Sequence, residues 1–268
     1  MNDQAGVGRV THEGSGSEHA SHYKKDFWDT ANLGFSEPWY RLQKAAGIVA
    51  RLAGQKQCEL LDVGCGPGTL MRLLPSNIEY FGIDIAIHTT APNFIEADIA
   101  HEPIAFTGKR FDLITALGLF EYVDDSQSTK FADIAGLLRR DGKFVVTYTN
   151  FGHRKTRIYE AFSNIQPLDS FRQDLQRYFT IDRSFPASHN WKHSQPSRGL
   201  IKAANMHVNA NIPVLSRMLA VDYFFICSPR PDTPLQQSRL PAGAKPERRR
   251  GDKVRGNRAM IVNSQVGR

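Results

Sequence analysis

The stretch "LLDVGCGPGTLMRLL", residues 60–74, sets Gly64, Gly66 and Gly68 at every second position behind Asp62. Glycines so spaced permit positive φ and let bare backbone approach a ligand at a strand-to-helix turn. The dinucleotide-binding fingerprint would need glycine at position 69, where this chain has Thr69. A carboxylate near a pyrophosphate is repelled, whereas one near an ammonium or sulfonium is attracted, so Asp62 points to a cationic ligand.

Two further acids extend the pattern. Asp84 closes "IEYFGID" twenty residues after Gly64, where a carboxylate can accept both hydroxyls of a ribose. Asp98 closes "FIEAD" and could meet an adenine amino group. Taken singly, Asp84 could be an exposed strand-end acid and Asp98 a turn cap. Together the three acids describe a nucleoside with a cationic side arm.

These residues need a frame that brings strand ends together. Strand-like runs at 58–63, 78–84, 94–98, 111–117 and 143–149 alternate with helical or loop segments, the rhythm of a doubly wound, mostly parallel sheet. Two later strands, at 179–185 and 221–228, complete seven and form an antiparallel pair at one sheet edge. Asp141-Gly142 in "LLRRDGKFVV" predicts a turn between a helix and the fifth strand. Upstream, Leu42, Ala45, Ala46, Val49 and Leu52 recur at helical spacing, predicting a helix over 37–53 that ends near Gly54.

With these motifs in this order, the sequence resembles the class I S-adenosylmethionine-dependent methyltransferases. "DVGCGPG" is similar to their glycine motif, "GIDI" to their ribose-binding strand end and "EADI" to their adenine segment; "FDLITALGLFEYVDD" and "LLRRDGKFVVTYTN" match the later strands. The resemblance covers residues 37–150 most closely. It implies that Asp62, Gly64, Cys65, Gly66 and Gly68 hold the methionine portion of S-adenosylmethionine. It further implies that Asp84 with Ile85 holds the ribose and Asp98 with Ile99 the adenine. Two departures stand out: Glu121-Tyr122 where relatives carry Glu-His, and Arg140-Asp141-Gly142 where they carry Pro-Gly-Gly.

A sulfonium methyl is already electrophilic, so the protein's tasks are in-line positioning and exclusion of water, with a base needed only for a weakly acidic nucleophile. Groups past the fourth and fifth strands should face the cleft: Glu121, Tyr122, Tyr148, Asn150 and His153. His153 is a candidate general base because imidazole titrates near neutrality, with a loop-bonded histidine as the alternative. His189, Trp191, His193 and His207 supply no evident metal set, and none is expected. Tyr23, Phe27, Trp28, Phe35, Trp39 and Tyr40 could form a lid or a helix packed on the sheet.

Charge is unevenly spread. Ten of the 34 Lys and Arg and three of the 27 Asp and Glu lie from Pro229 onward, so the preceding residues carry 24 of each. The expected organisation is a disordered segment 1–20, a methyltransferase domain 21–228 and a basic disordered tail 229–268. Within the domain, 21–54 would form a cap and 151–217 substrate-facing insertions. Cys58, Cys65 and Cys227 are odd in number without C-x-x-C spacing and read as small buried hydrophobes in a reducing compartment. No apolar run suggests a signal or a transmembrane segment, and a cytoplasmic protein is expected.

The expected acceptor is a small molecule offering an oxygen or nitrogen, of sugar or natural-product type. An RNA or protein substrate held by the basic tail and a non-catalytic cofactor-binding protein are the alternatives. A nicotinamide-dependent enzyme is disfavoured by Asp62. The sequence is silent on oligomeric state.

Overall fold

The computed structural model describes residues 39–86, 93–104, 106, 108–123, 127–151, 164–189 and 220–231. By internal packing the chain divides into a unit Met1–Gln237 and a unit Ser238–Arg268, and every described residue belongs to the first. Helix α1 (Trp39–Ala53) buries Ala45, Ala46, Ile48, Val49 and Ala53 and stops at Gly54, whose φ of 60° no β-carbon favours. Then follow β1 (Cys58–Val63), a 3-10 turn (Leu70–Leu73), β2 (Ile78–Asp84), β3 (Phe94–Glu96) and β4 (Phe111–Ala116). The remainder is α2 (Gln127–Leu137), β5 (Leu138–Thr149), α3 (Leu168–Gln176), β6 (Phe179–His189) and β7 (Ala220–Pro229).

The strands form one seven-stranded sheet in the order β3-β2-β1-β4-β5-β7-β6. The first five are parallel, while β7 lies antiparallel between β5 and β6. Strand alternation divides the core into two faces. Leu61, Val63, Phe81, Ile83, Ile114, Phe144 and Val146 pack with α2 and α3, and Leu60, Tyr80, Leu113, Val145, Phe224 and Ile226 pack with α1. Fully burying each such large side chain stabilises by about 1.5–3 kcal/mol, so a slip of one residue in register would be costly.

The sequence-predicted spans of β1 and β2 coincide with the observed ones, but other boundaries moved for local reasons. The glycine loop leads into four 3-10 residues instead of an α-helix, because Pro75 follows six residues after Thr69 and holds Leu74 extended, with ψ of 149°. Strand β3 ends at Glu96 because Asp98 starts a turn, its Oδ1 accepting from Ala100 N at 3.1 Å and its carbonyl from Glu102 N at 2.7 Å. Asp141 and Gly142 lie within β5 at a bulge, where the register advances five residues on β5 for two on β4. Past the expected domain edge at 228, Arg230 N donates to Tyr178 O at 3.0 Å. No helix among the described residues is long and apolar enough to cross a membrane.

Candidate functional site

Strand order reverses between β1 and β4, so the loops after these strands diverge at the carboxyl edge of the sheet and leave a crevice there. The loop after β1 enters it with Gly64, Gly66 and Gly68 at φ of 75°, 52° and 71°. It is pinned from one side by Gly64 N donating to Ile83 O at 2.8 Å. On the other side a β-carbon on Gly64 would come within 2.9 Å of Leu119 Cδ1 in the loop after β4.

Asp62 sits beneath this loop, within the sheet, and is 3% exposed. Its register partners on β2 and β4 are Gly82 and Thr115. Thr115 Oγ1 donates to its Oδ1 at 2.6 Å and Tyr80 Oη to its Oδ2 at 2.5 Å. Burial pushes its carboxyl up to about 6, against the two hydroxyl bonds that favour the charged form, with Asp84 adding to the rise. Asp62 therefore acts on the loop from below, through its field and through the strands it ties together.

Asp84, 8% exposed at the end of β2, accepts from Gly66 N at 2.7 Å through Oδ2 and from Ala86 N at 3.4 Å through Oδ1. It thus holds the glycine loop and the start of the following turn at once. Ile85 is half-buried beside it. Cys65 is 8% exposed, with its side chain in the α1 face of the core, and burial beside Asp62 and Asp84 pushes its thiol far up, so it stays neutral. Asp98 caps its own turn, and Ile99 is 6% exposed in the core against α2.

The charge around the crevice suits a cationic ligand. Four 3-10 residues carry too small a dipole to hold a pyrophosphate, and two buried acids lie just behind the loop. Both features oppose phosphate and favour a sulfonium or ammonium. Bare backbone for close approach, Asp84 at the β2 end and Asp98 beyond β3 are groups that could hold S-adenosylmethionine.

The residues expected past β4 and β5 divide. Glu121, 1% exposed, accepts at Oε1 from Thr149 N at 2.9 Å and Thr149 Oγ1 at 2.8 Å, while Oε2 is buried with no hydrogen-bond partner. Burial raises its pKa; the Thr149 bond and then the Arg41 charge lower it, and Asp222 adds to the rise. Tyr122 is half-buried on the same turn, its N–H donating to Leu119 O at 2.9 Å. Asn150 is 5% exposed and its Nδ2 donates to Ala220 O at 3.1 Å. Tyr148 does not face the cleft: strand alternation turns it to the α3 face, stacked 4.0 Å from Phe171 with its hydroxyl donating to Asn164 O. His153, Trp191, His193, His207 and residues 23–38 of the expected aromatic lid lie outside the described residues.

Sequence patterns pass over three members of this region: Arg41, Gly118 and Asp222. Arg41 leaves α1 towards Asp222, with Nη1 3.8 Å from Oδ2. The only signals were a lone acid opening an apolar strand, "VDYFFICS", and a glycine after β4, "ALGLF". A cleft of about 290 Å3 lined by Arg51, Leu52, Lys143, Asp182 and Arg183 lies elsewhere, by the C-terminal end of α1.

A family model described as a methyltransferase domain matches residues 39–194. The chain belongs to this family. No curated protein matches the sequence. Among solved structures, the methyltransferase is similar to a TehB-like SAM-dependent methyltransferase from Corynebacterium glutamicum. The TM-score is 0.50 at 14% identity over 80% of this chain and all of that one. A protein from Pyrococcus horikoshii matches with a TM-score of 0.51 at 15% identity, covering 81% of this chain and all of that one. The plantazolicin methyltransferase BpumL, solved in complex with SAH, matches at 0.50 and 14% identity over 76% and 88% of the two chains. The seven-stranded sheet is thus the fold of S-adenosylmethionine-dependent methyltransferases, and S-adenosylmethionine is the cofactor of this one.

Proposed function

We propose that the enzyme moves the methyl group of S-adenosylmethionine to an oxygen or nitrogen of a small molecule, of the sugar or natural-product kind. The observation that carries this is the unpartnered Oε2 of Glu121, a buried acceptor atom in the loop after β4. A buried carboxylate oxygen without a donor is costly, and an acceptor hydroxyl or ammonium supplies that donor. The fold shared with the plantazolicin methyltransferase agrees with a small substrate.

In this reading the bound cofactor supplies an electrophilic methyl group, and the chain's residues do the rest. Gly64, Gly66 and Gly68 offer bare backbone along the methionine portion, Asp84 takes the ribose and the turn at Asp98 and Ile99 borders the adenine. Asp62 contributes negative field beneath the loop. Glu121 Oε2 receives the acceptor's proton, and Tyr122 on the same turn borders the acceptor. His153 is the second candidate for the proton.

Labelled methyl transfer from S-adenosylmethionine into fractionated cell extract tests the acceptor class. Label is expected in the low-molecular-mass fraction and is expected to fall at least about tenfold in Glu121→Gln, the scale of a lost general base. Label confined to RNA or protein, weakened by salt when the tail is removed, would instead favour the basic tail as a substrate holder. Calorimetric titration is expected to show S-adenosylmethionine binding and no NAD binding. Asp84→Ala should weaken the former at least about tenfold through loss of charge-assisted hydrogen bonds.

A further inference from the structure

Glu121 and Asp222 are buried carboxylates from separate elements, the loop after β4 and the start of β7, and the Asp222 charge raises the cost of ionising Glu121. The guanidinium of Arg41, from α1, serves both. Its Nη1 lies 3.8 Å from Asp222 Oδ2, and its charge favours the ionised form of Glu121. A β-carbon on Gly118 would come within 2.5 Å of Arg41 Nη1 and 2.9 Å of Cζ. Gly118, at φ of 71°, is therefore both the turn and the gap into which the guanidinium fits. Arg41 Nε, like Glu121 Oε2, is buried with no hydrogen-bond partner.

We propose that Arg41, seated over Gly118, is the shared counter-ion of Glu121 and Asp222 and a positioning residue that keeps Glu121 able to accept a proton. This rests on the reading of Glu121 as the group facing the acceptor. It makes the first described helix part of the acceptor side and gives a role to a part-buried arginine whose guanidinium is seated against Gly118 and Asp222. The other groups around Glu121 are fixed by their own bonds. Thr149 from β5 donates to Oε1, Tyr148 is bonded to Asn164 O, and Asn164 N donates to the Glu121 carbonyl. Lys44, one turn along α1, donates to Pro186 O at 3.1 Å and Ala187 O at 3.3 Å, and its charge is also stabilised by Asp222.

The test is a carboxyl NMR titration of the full chain bound to S-adenosylhomocysteine, labelled with carboxyl-13C glutamate, the Glu121 signal being the one lost in Glu121→Gln. Arg41→Met is expected to raise the Glu121 midpoint by about one unit or more, as removal of a nearby opposite charge does. Arg41→Lys should restore most of that shift, and Asp222→Asn should lower the midpoint. A midpoint unmoved in folded Arg41→Met, or in Asp222→Asn should Arg41→Met not fold, overturns the proposal. So does a loss of S-adenosylhomocysteine affinity in Arg41→Met with the midpoint unmoved, because Arg41 would then be a cofactor ligand. Full turnover in Glu121→Gln sinks the general-base reading instead, and leaves the measured pairing with Arg41 standing.

Discussion

Asp62 shows how a single buried acid couples the site to stability. Its carboxyl stands at about 6 in the folded protein against an ordinary value of 3.8, because burial outweighs the bonds from Thr115 and Tyr80. Between those values the native state holds more protons than the unfolded chain, so its contribution to stability falls as pH rises from about 4 to 6. The loss across that window is about 3 kcal/mol at most, given 1.36 kcal/mol per unit. Glu121, also raised, works in the same direction. Thermal unfolding at stepped pH should therefore show a decline in the native protein that is shallower in Asp62→Asn; equal slopes would remove Asp62 as the source. Asp62 was legible as a functional acid from its place before the glycines. Its burial was not, because Thr115 and Tyr80 reach it only through the register of β1 with β4 and β2.

Among the elements, β2 carries the tightest contact with the glycine loop. A β-carbon at Gly82 would lie 2.6 Å from Phe94 Cδ1 and 2.8 Å from Cys65 Sγ, so Gly82 lets the β3 aromatic and the loop close on one strand. Gly82→Ala should destabilise by about 1–3 kcal/mol, the usual cost of overpacking, and should weaken S-adenosylmethionine binding as Cys65 is displaced. A denaturant midpoint and a calorimetric affinity check the two halves separately. Strands β1 and β2 were readable because short apolar runs with turn residues at both ends leave little choice of boundary. The bulge in β5 was not: Asp141-Gly142 has the composition of a turn. Which state it takes is decided by packing, where a β-carbon on Gly142 would come within 3.0 Å of Arg139 O and Asp112 O.

At the scale of the molecule, the neutral body and the basic tail make separable demands. Removing residues 232–268 spares Arg230, which ties the end of β7 to α3 and the turn after it through Gln176 O at 2.9 Å and Tyr178 O at 3.0 Å. The truncated protein is expected to keep its melting temperature and its methyl transfer to a small acceptor at low and high salt. A salt-dependent loss of transfer would assign the tail a substrate-holding role. By itself the sequence determined the α/β class, the glycine turn and the order of the three acids, because these depend on local periodicity and on residues close along the chain. Only the tertiary structure decided that Asp62 is buried between Thr115 and Tyr80, that Tyr148 belongs to the core and that Arg41 is seated against Gly118 and Asp222, with its charge felt at Glu121. Those four residues come from α1, the loop after β4 and β7, far apart in sequence, and a parallel sheet with an inserted antiparallel strand is what brings them to one edge.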